Sequence, residues 1–193
     1  MKNSNKYFLI LFFASVFLFL LIFLIGDEKV FLFINKRIAN PILDFFVLKI
    51  LTPSFLLIGI YPFSLLFSKK NRKLGIFSLF SGPFCYFIGN LIKPFFGQPR
   101  PLDILSARVL GFFHFSPFSF PSTTTMLAFG FALPILFEKS KFGIFFLILA
   151  FLVGFSVIYT GFHFPQDVIG GIIFSTLIIF FLNKGYEKLK SKI

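Results

Sequence analysis

The chain has 193 residues, which suits a single domain, and its composition excludes most soluble classes. Hydrophobic residues make up 57% of it and charged residues only 13%, against about 25% charged residues in ordinary globular domains. Its 37 phenylalanines carry more apolar surface than a soluble domain of this size can bury, and disordered chains are poor in aromatic residues. The formal net charge is +12, which in an integral membrane protein marks topology rather than a nucleic-acid partner.

Six apolar stretches predict membrane-spanning helices, because a helix needs about 20 mostly apolar residues to cross a hydrocarbon core about 30 Å thick. The predicted spans, in chain order, are 7–25, 53–67 (with a start near 47 as an alternative), 74–92, 122–137, 142–162 and 166–182. Residues 42–51 carry Asp44 and Lys49, so we expect an interfacial helix that leads into the second span. The first stretch is longer than the apolar region of a signal peptide and lacks a small-residue cleavage site, which favours a retained span.

The predicted fold is all-α, a six-transmembrane helix bundle that forms one integral membrane domain over residues 1–193. With a cytoplasmic N-terminus, most Lys and Arg residues fall on the face that carries both termini. Since cytoplasmic loops are enriched in these residues, we expect both termini on the cytoplasmic side of a bacterial inner membrane. The 93–121 loop is then on the outer side. One cysteine, Cys85, and two histidines are too few for a zinc site built from His and Cys, so we expect no zinc site of this kind.

Three polar clusters lie at the outer ends of the predicted spans. Residues 93–101 follow the third span, residues 121–125 open the fourth, and residues 156–167 join the fifth to the sixth. Under this topology all three clusters lie at one membrane face and can converge on a single site. Taken one at a time, their residues also fit structural roles: interfacial snorkelling, helix capping and complementing a helix dipole.

Taken together, the polar residues indicate chemistry on a phosphate. Lys93 and Arg100 supply two cations, and Ser122 lies at a helix N-terminus, whose free N–H groups bind phosphate. His163 and Asp167 are four residues apart, so the carboxylate can fix the tautomer of the imidazole, as in covalent catalysis. A phosphate site beside an oriented histidine indicates phosphoryl transfer through a phosphohistidine.

With these residues the chain resembles the type 2 phosphatidic acid phosphatase family, the membrane branch of the acid phosphatase/vanadium haloperoxidase superfamily. The first family motif, K-x6-R-P, is complete, whereas the second, P-S-G-H, and the third, S-R-x5-H-x3-D, are matched in part. The matching residues are Lys93, Arg100 and Pro101, then Pro121 and Ser122, then Ser156, His163 and Asp167. The resemblance extends over about residues 50–182 and agrees with six spans.

The resemblance implies that His163 is the nucleophile and that Asp167 stabilises its charge. The groups implied to hold the phosphoryl oxygens are Lys93, Arg100, Ser122 and the backbone N–H of Thr123. The family acts on phosphorylated membrane lipids, at a site open toward the head groups, without a metal or another cofactor. Its substrates include phosphatidic acid, phosphatidylglycerol phosphate, undecaprenyl pyrophosphate and phosphorylated lipid A. The implied function is hydrolysis of a lipid phosphate or lipid pyrophosphate.

Three positions depart from the family motifs: Thr123 replaces a glycine, Thr124 a histidine and Val157 an arginine. The histidine is a general acid, a role worth about 10²–10⁴ in rate, and the arginine is a charge on the transferred phosphoryl group. His114 and Arg108, in the loop before the second motif, are candidates to replace the acid and the charge, alongside Thr124 itself. The alternative is that both are ordinary interfacial residues.

The missing acid also bears on the substrate. A phosphate leaving group departs with less help than an alkoxide, which favours lipid pyrophosphates over monoesters. Two further functions use the same residues: binding or transport of phosphorylated lipids by an impaired family member, and phosphoryl transfer to another lipid. The retained His163–Asp167 pair favours catalysis, since binding alone needs no oriented nucleophile.

Overall fold

The computed structural model of the chain describes residues 2–111, 116–138 and 140–190. Every regular element in these segments is helical, which confirms the all-α prediction. The α-helices, in chain order, are α1 (Lys2–Ile25), α2 (Asp27–Leu32), α3 (Pro41–Phe46), α4 (Thr52–Leu65), α5 (Arg72–Phe96), α6 (Pro101–Ile104), α7 (Thr123–Phe137), α8 (Gly143–Tyr159) and α9 (Pro165–Lys190). Two π-helical segments, Phe33–Arg37 and Val47–Leu51, continue α2 and join α3 to α4.

Several helical segments are long and apolar enough to cross a membrane. Within the described residues these are Asn5–Ile25, Pro41–Leu65, Arg72–Ile104 and Pro165–Lys188. Two shorter apolar helices, Thr123–Phe137 and Gly143–Tyr159, correspond to the predicted fourth and fifth spans. The order of the six predicted spans is therefore kept, and four of them reach full spanning length.

The second span begins earlier than the sequence suggested. The Asn40 side chain accepts a hydrogen bond from the Leu43 N–H at 2.9 Å, and Pro41 follows at the first helical position, so a helix starts here. From Pro41 to Leu65 the chain is helical without a break. Residues 42–51, expected to form an interfacial helix that leads into the second span, are continuous with that span in one helical segment.

Helix α7 lies at the centre of the bundle and packs against α5, α8 and α9. Most of its side chains are buried, as expected for a helix that is apolar on every side. Gly82 on α5 and Gly130 on α7 lie so close that a Cβ on Gly130 would sit 2.8 Å from the Gly82 Cα. Small residues at such a contact let two membrane helices approach backbone to backbone.

The direction of the helices decides where the motifs meet. Helices α5 and α8 run opposite to α7 and α9, so the C-terminal ends of the first pair meet the N-terminal ends of the second. A hydrogen bond from the Ser122 N–H to the Asp167 carbonyl, 2.9 Å long, joins the starts of α7 and α9 directly. We call this end of the bundle the His163 end.

Candidate active site

His163 and Asp167 form a buried pair at the start of α9. The imidazole Nδ1 lies 3.2 Å from the Asp167 Oδ2, and the two residues are 4% and 0% exposed. The same Oδ2 accepts the Phe164 N–H at 2.7 Å, while Oδ1 accepts the Ser119 hydroxyl at 3.3 Å. Because the carboxylate is held at both oxygens, it orients the ring, and a proton on Nδ1 leaves the Nε2 lone pair free to attack.

The surroundings of His163 favour the neutral imidazole. Burial lowers the pKa of His163 well below its usual range, and the positive charges of Lys93 and Arg100 lower it further. A nucleophilic histidine has to be unprotonated at the attacking nitrogen. The ring therefore remains able to attack at neutral pH without first losing a proton.

Arg100 lies beside the attacking nitrogen and is 4% exposed. Its Nη1 donates to the Phe162 carbonyl at 2.8 Å and lies 3.4 Å from the His163 Nε2. Its Nε donates to the Ser116 carbonyl at 2.8 Å. These bonds fix a guanidinium next to the atom that would carry a phosphoryl group, where a cation stabilises developing negative charge.

Lys93 is 1% exposed and holds the segment that precedes α7. Its ammonium donates to the carbonyls of Phe118 and Ser119, at 2.8 and 2.9 Å. In this structure Lys93 therefore positions the backbone that leads to Ser122, and it contributes a positive charge that acts on His163.

Ser122 caps helix α7, and Thr123 begins it. The Ser122 hydroxyl oxygen accepts the Thr125 N–H at 3.4 Å and the Thr125 hydroxyl at 3.0 Å. Such a cap stabilises a helix by about 1 kcal/mol. The Thr123 side chain is accommodated by Gly89 of α5, where an added Cβ would lie 2.8 Å from the Thr123 Cγ2. The extra Cβ at this motif position thus has a matching space on α5.

A cavity of about 220 Å³ adjoins the His163–Arg100 pair. Its polar lining residues are Tyr86, Asn90, Arg100, Ser116, Thr123, Thr124 and His163. Tyr86 and Asn90 were not among the candidates from sequence, although they precede Lys93 on α5 at a spacing that repeats one helix face. Ser119, which bonds to Asp167, was missed as well, since no local pattern distinguishes it from the serines around it.

A second, more apolar cavity of about 370 Å³ lies next to the first. The two cavities share Phe55, Thr124, Val157 and Phe162, and the second adds apolar residues such as Leu48. The two positions where the family motifs have histidine and arginine, now Thr124 and Val157, therefore lie where the first cavity meets the second, more apolar one.

His114 and Arg108 were the candidates to replace the missing acid and the missing charge. Arg108 lines neither cavity: its Nη1 pairs with the Asp44 Oδ1 at 2.7 Å, and its guanidinium carbon lies 4.9 Å from the centre of the Tyr159 ring. Its backbone N–H donates to the Asn35 Oδ1 at 2.8 Å. These contacts fit a structural role for Arg108 and give no support to the expectation that it replaces the lost charge. His114 lies outside the described residues.

Comparison with known proteins agrees with this arrangement. The sequence profile of the PAP2 superfamily matches residues 75–191, which contain all three motif segments. The chain belongs to the PAP2 superfamily. Membership in the PAP2 superfamily explains why its motif residues meet at one end of an apolar bundle; these are Lys93, Arg100, Ser122, His163 and Asp167. The chain is an integral membrane protein.

Individual PAP2 relatives have names that refer to lipid phosphates or transport. The chain is 30% identical over 128 residues to the bacitracin transport permease protein BcrC of Bacillus licheniformis, covering 66% of this chain and 63% of that protein. It is 32% identical over 111 residues to the undecaprenyl-diphosphatase BcrC of Bacillus subtilis (strain 168), covering 58% and 57%. The matched region is thus less than two thirds of either relative.

A solved structure matches over almost the whole chain. The crystal structure of a transmembrane PAP2 type phosphatidylglycerolphosphate phosphatase from Bacillus subtilis has a TM-score of 0.65 to this fold, with 26% sequence identity. The match covers 97% of each chain. The helical arrangement described above is therefore similar to that of a PAP2 membrane phosphatase.

Proposed function

We propose that this protein is a membrane lipid phosphatase that removes a phosphate from a lipid phosphate or lipid pyrophosphate through a phosphohistidine at His163. The observation that carries the proposal is the buried His163–Asp167 pair with the Arg100 guanidinium 3.4 Å from the free ring nitrogen. A lipid-binding protein needs the cations but not the oriented imidazole. The names of the Bacillus subtilis relative and of the matching structure support the same activity.

The proposed reaction has two displacements. In the first, the His163 Nε2 attacks phosphorus, a P–N bond forms, and the bond from phosphorus to the leaving oxygen breaks. The leaving group departs as a lipid phosphate, or as a lipid alcohol once it gains a proton from water. In the second, water attacks the phosphohistidine, the P–N bond breaks, and inorganic phosphate is released. Arg100 stabilises charge on the phosphoryl oxygens in both steps, and no metal takes part.

The chemistry of the leaving group favours lipid pyrophosphates over lipid phosphate monoesters as substrates. Thr124 occupies the place of the family's general acid and lines the reaction cavity, but a threonine hydroxyl does not give up a proton at neutral pH. A lipid phosphate leaves without that proton, whereas a lipid alkoxide does not. The apolar cavity beyond Thr124 and Val157 suits the hydrocarbon next to the head group. Side-by-side rates on undecaprenyl pyrophosphate and phosphatidic acid test this, and a preference for the monoester contradicts it.

The membrane placement forms part of the proposal. We infer six crossings, with the shorter helices α7 and α8 as the fourth and fifth spans and both termini on the cytoplasmic face of a bacterial inner membrane. The proposed substrate site then faces outward, where the His163 end meets the lipid head groups. The excess of Lys and Arg in the loops at the opposite end supports this orientation.

A second candidate function is binding or transport of phosphorylated lipids without hydrolysis, and the name of the Bacillus licheniformis relative favours it. Phosphate release by the purified protein, with His163→Ala as the control, separates the two functions. The phosphatase predicts release that the variant loses. Lipid phosphate binding that Arg100→Ala abolishes, with no release from any substrate, establishes the binding protein instead.

A further inference from the structure

A cavity of about 620 Å³ lies at the end of the bundle opposite His163. Tyr186, which lines it, and Asp167 of the candidate active site are both on α9, separated by about 28 Å at 1.5 Å per residue. This distance is close to the thickness of the hydrocarbon core. The cavity therefore opens at the membrane face opposite the candidate active site.

The charge around this cavity is positive. Lys70 and Lys73 reach it from the turn before α5 and from its first residues, and Lys141 from the connection between α7 and α8. Glu138 is the acidic residue among the described residues that line it. The three ammonium groups come from two separate parts of the chain, so their convergence is a property of the fold and not of one basic run.

The rest of the lining is apolar and aromatic. Leu65 and Leu74 are buried at its wall, and Phe142 is 41% exposed. Tyr61 stacks on the ring of Phe146 with 4.5 Å between centroids. Cations beside an apolar wall at a membrane surface match a phospholipid, in which a phosphate lies next to glycerol and acyl chains. Free phosphate has no group to place against the leucines.

We propose that this cavity binds the head group of an anionic phospholipid in the leaflet opposite the candidate active site. Basic pockets between transmembrane helices recognise such head groups, and each Lys near an anionic surface contributes about a fivefold preference. A bound lipid joins the α4–α5 turn to the α7–α8 connection, and so ties together segments distant in sequence. The proposal does not depend on catalysis.

The absence of tryptophan from the chain permits a direct test. Phe142→Trp places a single tryptophan at the cavity, and the protein is reconstituted in phosphatidylcholine vesicles with increasing brominated lipid. We expect half-maximal quenching at a mole fraction of brominated phosphatidylglycerol at least fivefold lower than that of brominated phosphatidylcholine. Adding Lys70→Gln, Lys73→Gln and Lys141→Gln should remove this preference.

The matched control variant removes three positive charges from the same face at residues that do not line the cavity. Its substitutions are Lys69→Gln, Arg72→Gln and Lys184→Gln. This variant should keep the preference, and an equal loss in both variants overturns the proposal in favour of general surface attraction. Relief of quenching by millimolar inorganic phosphate, beyond the effect of equal ionic strength, overturns it in favour of a free phosphate site.

Native mass spectrometry of the chain with its own Phe142 provides a second measurement, in case the tryptophan variant does not fold. We expect anionic phospholipid to remain bound to the unmodified protein and to the control variant, and to be lost from the variant without Lys70, Lys73 and Lys141. Retention by that variant overturns the proposal.

Discussion

The two ends of the bundle both carry cations, but the cations have different environments. At the His163 end, Lys93 and Arg100 are 1% and 4% exposed and donate to backbone carbonyls. At the opposite end, Lys70 and Lys73 are exposed and lie around an open cavity. A buried, fixed cation positions a reacting group, whereas an exposed one attracts a charged surface. Residue type alone does not separate these roles, but burial and bonding partners do.

Asp167→Asn should cause the strongest loss of kcat, and it tests the difference between the two ends of the bundle. The amide keeps the shape of the carboxylate but no longer holds the proton on Nδ1 of His163, and the wrong tautomer costs about 10⁴ in kcat in a comparable pair. Phosphate release by purified protein measures it. Lys73→Gln at the opposite end should leave kcat within about twofold, and a large loss there would contradict a division of roles between the ends.

Arg100 and Arg108 separate charge that acts on the substrate from charge that acts on the fold. Arg100→Ala should lower kcat by about 10²–10³, the usual cost of removing one fixed donor from a transition state. Arg108→Ala should leave kcat nearly unchanged and lower the melting temperature, since it breaks the pair with Asp44 at 2.7 Å. Steady-state kinetics and thermal melting in detergent measure the two effects. A kcat loss of more than tenfold in Arg108→Ala would restore it as a compensating residue.

The pH dependence of activity tests the state of His163. Because burial and the nearby cations lower the pKa of His163, the ring is protonated only when the pH falls well below 6.5. The acid limb of kcat/KM should therefore lie below pH 6.5, with full activity at pH 6.5 to 7. Lys70→Gln serves as the control at the opposite end and should not move the limb. An acid limb centred at or above pH 6.5 would show that the ring is not held neutral in this way.

The smallest expected effect concerns Asp27, whose Oδ1 accepts the Gln166 N–H at the start of α9, 3.0 Å away. Burial raises the pKa of this carboxyl to about 7, with Asp167 and Glu28 adding to the effect and the Gln166 bond opposing it. Since the folded protein holds this proton more tightly than the unfolded chain, stability falls as pH rises from about 4 to about 7. Asp27→Asn keeps the acceptor without the charge, so its melting temperature should exceed that of the unchanged protein by a few degrees at pH 8.

At pH 5 the same comparison should give a smaller gain, because only the first part of the stability loss between about pH 4 and about pH 7 has then taken place. Glu28→Gln, on the neighbouring exposed residue, is the control and should change the melting temperature less at either pH. A gain for Asp27→Asn that is equal at pH 5 and pH 8 would mean that charge at Asp27 is not what limits stability.

Apolar length and motif order predicted much of the fold and the candidate site. The length and hydropathy of the apolar stretches locate the spans, and the motifs include His163, Asp167 and Arg100, which meet in the structure. The sequence did not predict that the second helical span starts at Pro41, because the charge of Asp44 indicated an interfacial position. Its partners, Arg108 and Tyr159, lie far away in sequence.

The remaining site residues depend on contacts that no local pattern encodes. Ser119 reaches Asp167 only after α7 and α9 have packed side by side, and Asp27 reaches Gln166 only after α2 has packed against α9. Arg108 illustrates the converse, since its position in the loop suggested a catalytic charge, whereas its bonds to Asn35 and Asp44 direct it elsewhere. These residues differ in the direction in which their side chains point, and that direction is determined only when the helices have packed.

Detection of a phosphohistidine is the decisive experiment for catalysis by His163. Purified protein is mixed with undecaprenyl pyrophosphate labelled with ³²P at the terminal phosphate, quenched within milliseconds in alkali, where phosphohistidine is stable, and digested for mass spectrometry. We expect a labelled peptide with the phosphate on His163, and no such peptide from His163→Ala. Release of labelled phosphate with no label on the protein at any quench time, or an equal label on His163→Ala, would contradict it.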